Sequence, residues 1–94
     1  MEKFRQLQNQ LTKAKASHQA KWEGKGLDAV WIGVFMPKSQ WRTAKKLGLE
    51  KDYYYGYKVY STASNSHGYK LYETIKDIVK ANPLFDIRVY SQDL

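Results

Sequence analysis

The sequence contains no cysteine. That removes disulfides, thiolate metal ligands and thiol catalysis together, and it suits a reducing compartment. Histidine is nearly as scarce: only His18 and His67 are present, and no acidic cluster stands beside either. A metal site is therefore not expected, and neither is a cofactor. Acidic residues number nine, and Asp28, Glu73, Asp77, Asp86 and Asp93 are scattered. With so few general bases, no Ser/His/Asp order and no thiol nucleophile, the chain reads as a non-enzyme. No stretch approaches the ~18 apolar residues of a membrane span. The opening Met1-Glu2-Lys3-Phe4-Arg5-Gln6 has no apolar run behind it, so a secretory signal is not expected and a cytoplasmic location is.

What is present is positive charge and tyrosine. The net charge is +7 over 94 residues. All of it lies in residues 1–58, which hold twelve Lys/Arg against five Asp/Glu; residues 59–94 hold four of each. A basic half joined to a neutral half points to an anionic partner, nucleic acid first, then an acidic protein or membrane surface. Thirteen of the sixteen basic residues are lysine, which suits loose phosphate contact better than bidentate base reading. A lysine-rich surface also serves plain solubility.

The length fits a single domain over 1–94 with a modest core. Residues 2–22 read as a helix: Phe4, Leu7, Leu11, Ala14 and His18 recur at spacings of 3 and 4. The stripe suits either a short dimerisation seam or one face laid on a sheet, and the second is favoured because Ala14 and His18 weaken a seam. Lys13, Lys15 and Lys21 lie off the stripe, where they could touch phosphate. Gly24-Lys25-Gly26 makes a turn, without the spacing of a phosphate loop. Leu27 to Met36 is apolar on both faces, as a central strand is, and Gly33 admits a close neighbour.

Ser39 to Leu47 reads as a short helix with Ser39 as N-cap and Gly48 just past its end. Its apolar stripe is Trp41, Ala44 and Leu47; Lys38, Arg42, Lys45 and Lys46 form the densest basic patch in the chain. Asp52 to Tyr60 follows as one strand, five of its nine residues tyrosine. Period 2 sets Tyr53, Tyr55, Tyr57 and Val59 on one face and Tyr54, Gly56, Lys58 and Tyr60 on the other. The polar run 61–68 is a loop, and 69–81 a helix with Leu71, Ile75, Ile78 and Val79 inward. Ser64, Ser66 and Lys70 at its start suit an anion, although capping by Asn65 or Ser66 explains the same residues. Glu73 and Asp77, among Lys70, Lys76 and Lys80, make a solvated ion-pair face. Phe85 to Ser91 is the last strand, with Phe85, Ile87 and Val89 alternating against Asp86, Arg88 and Tyr90.

Two partial resemblances stand beside this reading. Val30-Trp31-Ile32-Gly33-Val34-Phe35 and Tyr55-Gly56-Tyr57-Lys58-Val59-Tyr60 resemble the two aromatic-bearing strands of the RNA-recognition motif. Lys58 departs from that pattern, which wants an aliphatic residue there, and the intervening segment is short for a helix plus another strand. Asn65 to Asp93 is loosely similar to the helix-then-strand part of the ribonuclease H fold, where Lys70 and Gln92 would occupy carboxylate positions and imply an inactive relative. Each covers under half the chain, and the sequence is assigned to neither family.

The expected fold is α+β, in the order α-β-α-β-α-β. A three-stranded mixed sheet is covered by helices, the N-terminal helix 2–22 preceding a βαβαβ core over 27–91. Strand–helix–strand crossovers would make part of that sheet parallel. So few strands favour oligomerisation through a sheet edge or the first helix. The expected function is nucleic-acid binding without catalysis. Lys38, Arg42, Lys45, Lys46, Lys51 and Lys58 would neutralise phosphates, while Tyr54 and Tyr60 stack on exposed bases. The alternative is a protein-binding inhibitor or accessory module of a phage or plasmid, since tyrosine, tryptophan and arginine also build interface hot spots.

Overall fold

The computed structural model describes residues 2–22, 29–64 and 68–93, apart from the side chains of Trp22 and Ser64. Within them the chain forms α1 (Glu2–Trp22), β1 (Val30–Met36), a 3-10 turn (Lys38–Gln40) running into α2 (Trp41–Lys46), β2 (Lys51–Asp52), β3 (Gly56–Ser64), α3 (Gly68–Lys80) and β4 (Arg88–Asp93). The domain is α+β, as the element pattern implied. The turn expected at Gly24-Lys25-Gly26 lies outside the described residues.

The sheet corrects the expected three-stranded mixed one. It has four strands in the order β2-β3-β1-β4, and every neighbouring pair is antiparallel. The cause is local. The tyrosine stretch is not one strand but the end of β2, a turn at Tyr53–Tyr55, and the start of β3. The Asp52 carboxylate accepts hydrogen bonds from the backbone N–H groups of Tyr54 (2.8 Å) and Tyr55 (3.0 Å), which folds the chain back on itself. Gly56 completes the hairpin at φ 117°, a backbone region that side chains disfavour. That hairpin reverses β3 relative to β1. After α1, the order is strand–helix–strand–strand–helix–strand, the split βαβ arrangement. The segment between the two stretches similar to the RNA-recognition motif therefore does hold a helix and a strand.

The core lies on one side of this sheet. Val30, Ile32, Val34 and Met36 of β1 meet Phe4, Leu7 and Leu11 of α1, Ala44 of α2, and Leu71 and Ile75 of α3. The α1 stripe is thus used inside its own chain. His18, at the end of that stripe, shares a hydrogen bond of 3.1 Å between Nε2 and Thr74 Oγ1 of α3. The carboxamide of Asn82 donates to Gln10 of α1 (3.2 Å) and to the Ile78 carbonyl (2.7 Å), tying the far end of the same helix pair.

Helix ends follow backbone chemistry. Gly48, at φ 71°, donates to Lys45 O, and Leu49 donates to Ala44 O, both at 3.1 Å; together these satisfy the last carbonyls of α2 in a Schellman motif. Ser39 does not cap this helix. It sits inside the 3-10 turn, whose N-cap is Pro37, while α2 begins after Gln40 without a side-chain cap. The last strand also starts later than expected, at Arg88 rather than Phe85, because Phe85 instead packs edge-on against Phe4 (5.5 Å).

Candidate nucleic-acid interface

The register decides which side chains share a surface. On the side of the sheet away from the core, three rows cross β3, β1 and β4. They are Lys58·Phe35·Arg88, Ser61·Gly33·Tyr90 and Ala63·Trp31·Gln92. Gly33 stands at the centre of this grid. A Cβ there would come within 2.4 Å of both the Trp31 and Phe35 rings, so the two rings fold together over the glycine. The rings of Trp31 and Phe35 lie 6.1 Å apart.

Tyr55 then closes over them from the hairpin. Its ring lies 5.0 Å from Phe35, 6.0 Å from Trp31 and 4.6 Å from Tyr90. Phe35 is consequently fully buried although no described helix covers this face. Trp31, Tyr55 and Tyr90 remain partly exposed, as a ring surface flanked by the cations Lys58 and Arg88. Each cation has a carboxylate neighbour: Glu50 lies 3.9 Å from Lys58 Nζ, and Asp86 lies 3.6 Å from Arg88 Nε. Exposed pairs of this kind hold a charge loosely and leave it available to a phosphate.

The expected site residues fall on several surfaces rather than one platform. Lys38, Arg42, Lys45 and Lys46 are exposed on the 3-10 turn and α2. Lys51 pairs with the inward Tyr57 and so lies on the helix side of the sheet. There Lys45 Nζ sits 4.6 Å, and Lys51 Nζ 5.3 Å, from the centre of the Trp41 ring, and Lys51 also lies 5.6 Å from the Tyr53 ring. Lys58 is on the opposite face. Tyr54, at the hairpin tip, is 91% exposed.

Tyr60 is the clearest departure. The register slips between Val34 and Phe35: Val34 faces Tyr60, Phe35 faces Lys58, and Val59 is the extra residue. This bulge turns both Val59 and Tyr60 toward the helices. Tyr60 is half-buried there, facing Thr12 of α1, so it does not join Tyr54 on a stacking surface. Burial pushes its phenol above the ordinary value of 10.0, against a smaller opposing effect of the Thr12 side chain. A raised phenol pKa means the folded state keeps its proton longer than the unfolded chain does. The resulting stability is complete below about pH 10 and declines as pH rises beyond it. Tyr60→Phe is expected to flatten part of the alkaline fall in stability, measured by urea unfolding at pH 9 to 11.

Composition and period-2 counting missed Trp31, Tyr55, Tyr90 and Arg88. The one signal that touches them is the partial resemblance over 30–35 and 55–60, which spans Trp31, Phe35 and Tyr55. Of the anion idea at the start of α3, Lys70 is exposed, while Asn65, Ser66 and the Ser64 side chain lie outside the described residues. Among the described residues, no three or more His, Asp or Glu are grouped to hold a metal ion, and no helix is long and apolar enough to cross a membrane. No family model matches this chain, and no curated protein or solved structure does either.

Proposed function

We propose that this chain is a non-enzymatic nucleic-acid-binding protein that stacks exposed bases on the Trp31, Tyr55 and Tyr90 rings. One observation carries the reading: three partly exposed rings gather on a sheet face that no described helix covers, beside the row in which Lys58 and Arg88 flank Phe35. Every base has a face that stacks on such a ring, so the surface accepts many sequences. The lysines and Arg88 supply phosphate contacts, and the overall charge of +7 draws a polyanion in. Of the two stretches that resemble the RNA-recognition motif, the first lies in β1 and the second runs from the hairpin turn into β3, the two adjacent central strands; Trp31 comes from the first and Tyr55 from the turn.

The test is fluorescence anisotropy with a labelled single-stranded oligonucleotide. Tyr90→Ala is expected to lower affinity about 5- to 150-fold, the loss of one stacked base. Tyr60→Phe, on the other side of the sheet, is expected to leave affinity unchanged. Binding that ignores salt concentration and survives Tyr90→Ala would reject the reading. In that case a protein partner becomes the better account, since the same rings and Arg88 make an interface hot spot.

A further inference from the structure

The hairpin between β2 and β3 displays two tyrosines that the fold itself does not use. Tyr53 is 81% exposed and Tyr54 91%. Large rings left in water contribute almost nothing to folding. Their backbone is nonetheless held firmly: the Asp52 carboxylate grips the N–H groups of Tyr54 and Tyr55, and Gly56 fixes the exit. The turn is a pre-organised display of rings.

These rings bridge two surfaces. Tyr54 lies 6.4 Å from Tyr55, the lid of the sheet-face cluster. Its neighbour Tyr53 lies within reach of Lys51, and Lys51 shares the Trp41 ring with Lys45. Trp41 is itself 42% exposed. One run of ring contacts thus leads from Trp31 on the open face to Tyr54, and another of ring and ammonium groups from Tyr53 to Trp41 on the helix side; the two meet at these adjacent residues of the hairpin.

We infer that Trp41, Lys45 and Lys51 form a second subsite, joined to the sheet face through Tyr53 and Tyr54, for one continuous single strand of nucleic acid. This rests on the proposed function and extends it. The ligand class follows from the path. A duplex hides its base faces and is stiff over about 150 base pairs, so it does not turn round the edge of one small sheet. A single strand does turn, stacking on each ring and placing phosphates at the lysines. The ammonium groups already rest over the Trp41 ring, which keeps them near the path at little entropic cost.

The test uses two single strands, of about four and about twelve nucleotides, within known site sizes. The longer strand is expected to bind far more than tenfold tighter, beyond the about ninefold gain from counting registers on a four-nucleotide site. Replacing both Lys45 and Lys51 by glutamine should abolish that extra gain. It should also reduce the salt slope by about 1.4 for the longer strand, at about 0.7 per phosphate contact, and leave the shorter strand unaffected. Trp41→Ala should act in the same direction; the lysine variant is the safer probe, since Trp41 also touches Tyr57 (6.1 Å) and its loss disturbs packing. Equal affinity for both lengths, or no change in slope for the longer strand, overturns the second subsite while leaving the sheet face standing. Failure of both strands to bind overturns the two proposals together.

Discussion

Gly56→Ala is expected to cost about 3–5 kcal/mol, the largest effect of any small substitution in this chain. Two causes add. At φ 117° a side chain is strained in any surroundings. A Cβ there would also lie 2.1 Å from the Met36 carbonyl oxygen, which is backbone and cannot swing aside. The two central strands would have to separate where β3 begins, carrying Tyr57 and the Tyr55 lid with them. A domain of this length has roughly 5–14 kcal/mol in total, so the loss takes a large share. Gly48→Ala is the control. It has positive φ too, but no neighbour lies within 4 Å of the added carbon, so only strain of about 1 kcal/mol is expected. Urea unfolding of both variants checks this, and equal losses would show that the Met36 contact is unimportant.

Leu11→Ala is expected to cost about 3 kcal/mol. Leu11 is fully buried in the cluster that joins α1 to β1 and α3, so the truncation leaves a cavity in the core. The concentration dependence is as informative as the size. The α1 stripe is satisfied within its own chain, so the loss should be the same across a hundredfold range of protein concentration. A loss that shrinks as concentration rises would mean that α1 instead packs against a second copy. Exposed Lys13→Ala, two residues on and on the other side of the helix, should change stability by less than about 0.5 kcal/mol.

Both effects bear on the proposed interface. The Gly56 hairpin positions Tyr55, and Tyr55 keeps Phe35 dry and holds the rings together. A variant that loosens the hairpin should therefore lose oligonucleotide binding and stability together. Tyr90→Ala should lose binding with far less effect on folding. Measuring both quantities on the same variants separates a failed platform from a failed fold.

Some of this protein could be read from its residues alone. The stripe Phe4, Leu7 and Leu11 set the first helix and the face it buries, because spacings of 3 and 4 put one side of a helix together. The apolar run through Met36 marked the central strand, and the stripe Leu71 and Ile75 the last helix, for the same reason of burial. Gly33 signalled a close neighbour, and two rings lie over it. These features depend on residues near one another in the chain.

The surface that matters for binding was decided elsewhere. Tyr60 points to the helices because a bulge inserts one residue opposite β1, and a single extra residue reverses every later side chain on a strand. Tyr55 covers the open face because Asp52 and Gly56 together turn the chain, a step that period-2 counting carries straight past. Trp31, Tyr55 and Tyr90 are far apart in sequence and meet only because β4 pairs beside β1. Local periodicity fixes which face of an element is apolar. Which elements become neighbours, and in what register, depends on long-range pairing.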